Sequence, residues 1–331
     1  MGSNGSIDME WYNIAEARGK LRAFNIIIGG RGIGKTYGTI DFLVNEGKPF
    51  IYMRNTDVQM KESSTAFGNP FKRWNLDHGR DIHIAKEGQH AVIIEGEKNL
   101  GYAVPLSTFE NLRGVDLSDV RYVLFDEFIE RRKLSFQQFD TFANFYETVN
   151  RNRELMGEDP LKVIMLSNAQ KLDNPILAGY GFIQIIENML LKGEKEKTGK
   201  HFYIALPESE ISDAKRSTAN YELTKDTYFN KEALDNKFAY DSFHGIKKRP
   251  LQEYAPLCGI DGIFIYKHKN TGRYYACRSQ SNTCKLFTRK DSYILFMRTY
   301  GMRLRLADAS GTLDYQDFTI KSKLSDILGT A

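Results

Sequence analysis

Residues 29–36 have the residue types and spacing that bind a nucleoside triphosphate. They read GGRGIGKT and match the pattern G-x-x-x-x-G-K-[ST] at every position. Phosphate oxygens only accept hydrogen bonds, so they are bound best by backbone N–H groups that no side chain blocks and by the positive end of a following helix. The residues predicted to contact the nucleotide are Gly29, Gly30, Arg31, Gly32, Ile33, Gly34, Lys35 and Thr36.

Three residues of this loop have different expected roles. Lys35 is expected to reach the β- and γ-phosphates, and Thr36 to offer its hydroxyl to Mg²⁺. Arg31 is not required by the pattern, and three roles are open for it: contact with phosphate, contact with a neighbouring subunit, or exposure to solvent. The alternative for the whole loop is a glycine-rich turn that binds no ligand.

Two acidic residues follow a later apolar run. Asp126 and Glu127 end the stretch RYVLFDE. Beside a phosphate loop, the first acid completes the Mg²⁺ shell through water, and the second can accept a proton from an attacking water. This pair is typical of ATPases that do mechanical work. The alternative is that the two residues are surface acids without a role in catalysis. The stretch NAQKLD does not match the guanine-binding pattern N-K-x-D, so ATP is the expected nucleotide.

Three further polar residues are candidates for catalysis. Asn168 follows the apolar run VIMLS, where it can position the attacking water, sense the γ-phosphate or cap the next turn. Arg151 and Arg153 follow a stretch with phenylalanines at helical spacing. An arginine offered across a subunit boundary stabilises the transferred phosphate, whereas an arginine at a helix C-terminus also opposes the helix dipole.

The elements that must position these residues form an α/β pattern. Short apolar runs predict five buried strands, at AFNIII, PFIYMR, RYVLF, LKVIML and HFYIAL. A predicted helix that ends at Gly47 separates the first two strands, an arrangement typical of a parallel sheet. Residues 81–106 alternate and predict a small antiparallel meander, and residues 10–21 predict a helix before the first strand.

The C-terminal part of the chain has a different pattern. Residues 208–240 are polar and predict a partly helical linker. Beyond them, residues 269–272 predict the turn of a hairpin, residues 291–305 a helix and residues 312–320 a last strand. The predicted domains are a phosphate-loop domain, a linker and a small basic α+β domain, at residues 1–207, 208–240 and 241–331.

Composition and charge narrow the class of protein. With 331 residues, 41% of them hydrophobic, the chain can bury a sizeable core. No apolar run approaches the ~18 residues that a membrane span needs, and no apolar signal region is present, so neither a membrane protein nor an exported one is expected. Three cysteines without a CxxC pair fit a reducing cytosol better than disulfides or zinc. Residues 241–331 hold 15 Lys and Arg against 8 Asp and Glu, which indicates either a polyanionic partner or a solvated basic face.

The order of these motifs resembles one known family. GGRGIGKTYG, FIYMR, AVPLSTFENL, LFDEFI, ETVNRNRE, LSNA and ALDNKFAYDS occur in a single order over about residues 20–242. Together they are similar to the double-stranded-DNA packaging ATPases of phi29-like bacteriophages. The resemblance implies a P-loop NTPase domain of the additional-strand, catalytic-glutamate type with a mainly parallel sheet. It also implies a C-terminal domain resembling an RNase H-like nuclease that has lost its catalysis.

The resemblance also implies partners and residue roles. Such proteins form a homomeric ring, usually a pentamer, on the portal of a viral procapsid in the host cytoplasm, where ATP hydrolysis drives double-stranded DNA inward. Aligning TVNRNRE places the arginine finger at Arg151, with Arg153 next, and Asp126 and Glu127 align with the family's acids. The basic C-terminal stretch then suits contact with DNA or with a structural RNA of the capsid vertex.

Other function classes remain open at this point. A two-metal nuclease needs several acids that converge on one sheet edge. The C-terminal acids are scattered, so we predict a domain that does not cleave DNA; they are Asp261, Asp291, Asp308, Asp314 and Asp317. The alternatives are a packaging enzyme that still cuts DNA, a cellular ATP-dependent helicase or DNA pump, and a nucleotide-dependent nucleic-acid-binding module without translocation.

Overall fold

The computed structural model describes residues 11–88, 90–112, 115–130, 137–168, 172–225 and 245–329. It divides the chain into an N-terminal unit, Met1–Gly179 with Met189–Tyr240, and a C-terminal unit, Tyr180–Asn188 with Asp241–Ala331. The segment Tyr180–Asn188 therefore belongs to the C-terminal unit, whose other residues begin at Asp241. Domain boundaries drawn as consecutive ranges, such as those predicted from the sequence, cannot include this segment. Residues 226–240 of the predicted linker lie outside the described residues, and the three-part domain division stays a prediction.

The N-terminal unit is built on one large sheet. Its strands are β1 Phe24–Ile28, β2 Phe50–Arg54, β3 Ile82–Glu87, β4 His90–Glu95, β5 Lys98–Pro105, β6 Tyr122–Asp126, β7 Lys162–Ser167, β8 Glu196–Thr198 and β9 Phe202–Ala205. Over the described residues their spatial order is β3-β4-β5-β2-β6-β7-β1-β9-β8. The neighbours from β5 through β9 pair in parallel, so the prediction of a mainly parallel α/β sheet is confirmed. The meander is confirmed too, as β3, β4 and β5 pair antiparallel.

Strand β7 lies between the strands that carry the two nucleotide-binding motifs. β1 leads into the phosphate loop and pairs with β7, and β7 pairs on its other side with β6, which ends at Asp126. Nearly every residue of these three strands is buried, as expected for runs that are apolar without alternation. Because parallel strands end at the same edge of a sheet, the phosphate loop, Asp126 and Asn168 meet at the carboxyl edge.

Helices lie between these strands in the chain and after the last of them. Those between strands are α1 Lys35–Glu46, α2 Asp57–Ser63, α3 Lys72–His78, α4 Gln137–Asn150, α5 Pro175–Gly179 and α6 Phe182–Lys192, and those after β9 are α7 Glu210–Lys215 and α8 Ala219–Leu223. α1 ends at Gly47 in the left-handed conformation, as predicted. The predicted helix at residues 10–21 is instead a 3₁₀ helix, Ile14–Lys20, whose buried Ile14 and Ala17 follow the three-residue period of that helix. Phe136 of the phenylalanine stripe lies outside the described residues, whereas Phe142 and Phe145 are buried.

The C-terminal unit has a smaller mixed sheet. Its strands are β10 Tyr254–Ile260, β11 Ile263–His268, β12 Tyr274–Cys277, β13 Lys285–Phe287 and β14 Leu313–Tyr315. They lie in the order β13-β10-β11-β12-β14, and the antiparallel pair β11 and β12 confirms the predicted hairpin. Its later helices are α9 Tyr293–Phe296, a π-helical turn Met297–Gly301, α10 Met302–Ala309 and α11 Phe318–Leu328.

One C-terminal prediction is wrong in its extent. The strand expected over residues 312–320 stops at Tyr315, and helix α11 begins at Phe318. The Asp317 carboxylate accepts a hydrogen bond from the Ile320 backbone N–H at 3.0 Å, which caps the helix start and ends the extended conformation. None of the helices within the described residues combines the length and the apolar composition that a membrane span needs.

Candidate active site

The phosphate loop leaves β1 at the carboxyl edge of the sheet and enters α1. Gly34 precedes the helix with φ at 93°, a left-handed conformation that glycine adopts without steric cost. A β-carbon at Gly34 would lie 3.2 Å from the Trp11 ring. The left-handed backbone therefore favours glycine at the end of the motif, and a side chain there would also crowd the Trp11 ring. The N–H groups of the first turn of α1 have no partner within the helix and face the loop.

Lys35 lies inside the loop and is buried. Its ammonium Nζ donates to the carbonyl oxygens of Gly29 at 3.0 Å and Gly30 at 2.6 Å, and to Asn168 Oδ1 at 3.2 Å. Burial lowers the pKa of Lys35 to about 8, although the negative charge of Asp126 opposes the shift. These contacts place the ammonium between the loop and the tip of β7, where a phosphate in the loop would be within its reach.

A hydroxyl and a carboxylate meet beside the loop. Thr36 Oγ1 donates to Asp126 Oδ1 at 3.1 Å, and the Tyr52 hydroxyl donates to Asp126 Oδ2 at 3.4 Å. Burial raises the pKa of Asp126, and the Arg54 guanidinium, 3.7 Å away, counteracts that shift. Oxygen atoms of this kind are the ligands that Mg²⁺ prefers, so Thr36 and Asp126 fit a magnesium ion bound between loop and sheet.

The catalytic candidate Glu127 is held by the end of a neighbouring strand. Arg54, the last residue of β2, donates from its guanidinium to Glu127 Oε2 at 2.7 Å. The Glu127 backbone has φ at 52°, which is uncommon for a residue with a side chain, and its carbonyl accepts from Asn55 Nδ2 at 3.1 Å. The strained backbone and the ion pair together fix the direction of a side chain that is more than half exposed.

A cleft of about 390 Å³ collects most of the predicted site residues. Predicted residues that line it are Arg31, Gly32, Gly34, Lys35, Thr36, Asp126, Glu127 and Asn168. Gly29 and Gly30 contribute the carbonyl groups that Lys35 contacts, and Ile33 is buried beneath the loop. The Asn168 amide faces Lys35, and the alternative that it caps the next turn falls on residues 169–171, outside the described residues.

The two arginines after α4 have different surroundings. Arg151 is exposed and left-handed, with φ at 52°, and its guanidinium lies 3.3 Å from the Asp116 carboxylate. Arg153 is buried and donates to the Ser118 carbonyl at 2.9 Å, and burial lowers its pKa. Thus only Arg151 has the exposure that contact with another molecule requires, whereas Arg153 stabilises the local fold.

Arg151 does not lie near the phosphate loop of its own chain. Helix α4 ends at Asn150, whose Oδ1 accepts from the Leu161 N–H at 2.8 Å, directly before β7 starts at Lys162. The phosphate loop follows the opposite end of β1, which runs parallel to β7. Arg151 is therefore at the amino edge of the sheet, and the loop is at the carboxyl edge.

Sequence reasoning missed two residues that contact the site. Arg54 ends the motif FIYMR, and a polar residue at the carboxyl end of a buried parallel strand was the available signal. Lys215 ends α7, and its Nζ donates to the carbonyl oxygens of Arg31 and Gly32 at 2.7 and 3.1 Å. No local pattern marks Lys215, because it follows the loop by 184 residues. The side chain of Arg31 is half-buried, so full exposure to solvent does not describe it.

A glycine loop between a buried strand and a helix, with Thr36 and Asp126 paired and Glu127 beside them, defines a P-loop ATPase on a mainly parallel α/β sheet. The family model described as podovirus DNA encapsidation protein (Gp16) matches residues 8–275. The chain belongs to this family, the DNA packaging ATPases of phi29-like phages, which confirms the family indicated by the motif order.

Individual relatives and solved structures agree with that assignment. The DNA packaging protein of Bacillus phage B103 is 32% identical over 236 residues, 69% of this chain and 68% of that one. The DNA packaging protein of Bacillus phage phi29 is 28% identical over 247 residues, 72% of this chain and 69% of that one.

The described fold is similar to a chain of the bacteriophage phi-29 viral genome packaging motor assembly, with a TM-score of 0.64 and 21% identity over 97% of this chain and 99% of that one. A chain of the Phi-28 gp11 DNA packaging motor has a TM-score of 0.57 and 18% identity over 96% of this chain and 98% of that one. The two structural likenesses show a common fold.

Proposed function

We propose that the protein forms a homomeric ring, a pentamer, hydrolyses Mg²⁺–ATP at the interface between its subunits, and thereby moves double-stranded DNA into a viral procapsid. The observation that carries this proposal is that the candidate catalytic residues lie at two opposite edges of the parallel sheet. Lys35, Thr36, Asp126 and Glu127 meet in one cleft, whereas the exposed Arg151 lies at the opposite edge of the sheet. The site then gains its arginine only when the amino edge of one subunit faces the cleft of the next.

Each residue of the cleft has a defined task in this proposal. The loop N–H groups and the Lys35 ammonium bind the phosphates, and Thr36 and Asp126 hold Mg²⁺. The ion, when bound, neutralises charge on the phosphate oxygens. Asn168, 3.2 Å from Lys35 Nζ, positions the attacking water or senses the γ-phosphate. The water oxygen attacks the γ-phosphorus, its proton passes to the Glu127 carboxylate, and ADP leaves.

The arginine in trans completes the reaction. Arg151 of one subunit places its guanidinium against the γ-phosphate of its neighbour, where charge is spread over the phosphate oxygens in the transition state. Arg153 is less suited to this task, because its side chain is buried and bonded to the Ser118 carbonyl. The position of β7 between β1 and β6 supports the additional-strand, catalytic-glutamate class of P-loop ATPase.

The C-terminal domain binds nucleic acid without cutting it in this proposal. Two of its buried acids are engaged by arginines, since Asp314 pairs with Arg249 and Arg273, and Asp317 pairs with Arg278. Among the described residues, no group of three or more metal-binding side chains converges. A domain that resembles an RNase H-like nuclease, has no such group among its described residues and has an excess of basic residues suits contact with DNA or with a structural RNA at the portal vertex.

The ATPase rate of the full chain with and without duplex DNA, measured together with the oligomer mass, tests the proposal. We expect ring-sized oligomers and hydrolysis that duplex DNA stimulates, with no strand separation and no Mn²⁺-dependent nicking. Strand separation would indicate the helicase alternative, and nicking would indicate a packaging enzyme that still cuts DNA. ATP binding without DNA-stimulated hydrolysis would favour a nucleotide-dependent binding module. The host cytoplasm, on the viral procapsid, is the proposed location.

A further inference from the structure

The last residue of helix α7 lies on the outer side of the phosphate loop. Lys215 Nζ donates to Arg31 O at 2.7 Å and to Gly32 O at 3.1 Å. Helix α7 follows β9, the strand next to β1, and Ser209 caps its start by accepting a hydrogen bond from the Ile211 N–H. A cation from the segment after the sheet is thus bonded to two consecutive peptide groups of the predicted nucleotide-binding loop.

The loop has room for this ammonium because residue 32 is a glycine. A β-carbon at Gly32 would lie 2.6 Å from Lys215 Nζ, closer than β-carbon contacts in proteins occur. Gly32 also has φ at 62°, in the left-handed region. The glycine that the motif does not require at this position therefore serves two purposes, the turn of the backbone and the approach of Lys215.

The contact acts on the groups that bind phosphate. The carbonyl of Arg31 shares a peptide group with the N–H of Gly32, and the carbonyl of Gly32 shares one with the N–H of Ile33. In a phosphate loop these N–H groups face the ligand, so their carbonyls point away from it. A cation on the carbonyl side polarises both peptide groups and strengthens their N–H groups as donors. It also fixes the orientation of both peptides.

Lys215 adds positive charge to the same site. Its ammonium binds carbonyl oxygens of the same loop that the Lys35 ammonium contacts, and burial lowers the pKa of Lys215. Partial desolvation of an ammonium is unfavourable unless hydrogen bonds compensate for it, and here the two loop carbonyls do so. A triphosphate in the loop relieves the repulsion between these cations, so the bound nucleotide and the docked position of Lys215 stabilise each other.

We propose that Lys215 is a positioning residue for ATP, which orients the Arg31–Gly32 and Gly32–Ile33 peptide groups toward the phosphates and couples the docking of α7 to nucleotide occupancy. This inference rests on the proposed nucleotide site. By reciprocity, ATP that is bound more tightly when Lys215 is docked must also hold α7 more firmly in place. The position of helix α7, which follows strand β9, then depends on whether ATP is bound in the phosphate loop.

The first test is the affinity for ATP of the full-length Lys215→Met variant. Loss of the charge-assisted hydrogen bonds should raise the Kd for ATP about tenfold, and Lys215→Arg should restore part of the affinity. Arg216→Ala is the matched control, since it removes an equal charge one residue later, where Nε donates to Asp213 Oδ1 at 3.1 Å, and it should bind as the parent does. The parent should bind ATP and the Lys35→Ala variant should not. If these two results hold and the Kd of Lys215→Met equals that of the parent, this inference is overturned while the proposed function stands. A parent that fails to bind ATP overturns the proposed function as well.

A second test approaches the contact from the loop. Gly32→Ala should displace Lys215, so the losses of affinity in Gly32→Ala and Lys215→Met should not add in the double variant. Additive losses would show that the two residues act independently and would contradict the inference. Hydrogen exchange at residues 210–215 gives a readout that a purely structural lysine would not change. ATP should slow exchange there in the parent and leave it unchanged in Lys215→Met, and equal slowing in both proteins rejects the coupling.

Discussion

The Arg54 guanidinium contacts both acids of the catalytic pair, Glu127 Oε2 at 2.7 Å and Asp126 Oδ2 at 3.7 Å. Burial raises the pKa of the Asp126 carboxylate, the positive charge of Arg54 opposes that rise, and the same guanidinium binds one oxygen of the Glu127 carboxylate. Arg54, the last residue of β2, therefore joins the end of that strand to both acids at the end of β6.

Glu127→Gln should stop hydrolysis without stopping binding. The amide is nearly isosteric but cannot accept the proton of the attacking water, so kcat should fall about 10²- to 10⁴-fold while the Kd for ATP stays within a few-fold. Glu130→Gln is the matched control, because that carboxylate accepts from Gln59 Nε2 outside the cleft. Steady-state turnover and nucleotide titration measure the two quantities, and normal turnover in Glu127→Gln would disprove its role as the base.

Arg54→Ala should shift the acid limb of the ATPase pH profile upward. Asp126 must be ionised to hold Mg²⁺, burial raises its pKa, and Arg54 lowers it again. Without Arg54 the pKa rises, so activity is lost at a higher pH as the solution is acidified. Rates measured across pH at saturating and limiting Mg²⁺ check this, with Arg54→Lys as the control that keeps the charge. An acid limb that is identical in all three proteins contradicts the assigned role of Arg54.

ATP binding should take up protons near pH 8 to 9. Burial lowers the pKa of Lys35 to about 8, so a growing fraction of the lysine is neutral above that pH, and a bound triphosphate favours the charged form. Affinity should therefore weaken as the pH rises above about 8. Calorimetry of ATP binding in buffers of different ionisation enthalpy measures the number of protons taken up. The control is the same titration at pH 6.5, where Lys35 is already charged and little uptake is expected. Binding enthalpies that do not depend on the buffer at pH 8.5 would count against this assignment.

Mixed oligomers should regain activity from two inactive proteins. Arg151→Ala subunits have an intact cleft, and Lys35→Ala subunits have an intact Arg151, so an interface that joins the two contains one complete site. Neither protein alone should hydrolyse ATP appreciably. Rescue should depend on the mixing ratio, and a mixture of Lys35→Ala with Glu127→Gln is the control, because both lesions then lie in the same cleft. The absence of rescue at every ratio excludes a role in trans.

The stabilities of the two arginine variants should differ. Arg153→Ala removes a buried guanidinium that donates to the Ser118 carbonyl at 2.9 Å, so we expect a loss of roughly 1.5–3 kcal/mol in the free energy of unfolding. Arg151→Ala removes an exposed ion pair, so its loss of stability should be clearly smaller. Denaturant unfolding of both variants measures the difference. Equal stabilities would mean that the burial of Arg153 is not maintained in solution.

Much of the site was predictable because its signals are local in the chain. The phosphate loop must join a buried strand to a helix, and its glycines and its Lys35–Thr36 pair are contiguous. Asp126 and Glu127 end an apolar run, so their place at the carboxyl edge followed once the sheet was expected to be parallel. The strand predicted over residues 312–320 was wrong beyond Tyr315, because the capping bond of Asp317 outweighed the apolar pattern that follows it.

The sequence by itself determined the kind of ligand, the acids beside it and the family, since these depend on residue types at short and fixed spacing. Only the tertiary structure decided which arginine is exposed, which strand lies between β1 and β6, and that Arg54 and Lys215 contact the site. The physical reason is that burial and ion pairing depend on residues brought together from distant parts of the chain. Arg151 and Arg153 are two positions apart, yet the packing around α4 exposes one and buries the other.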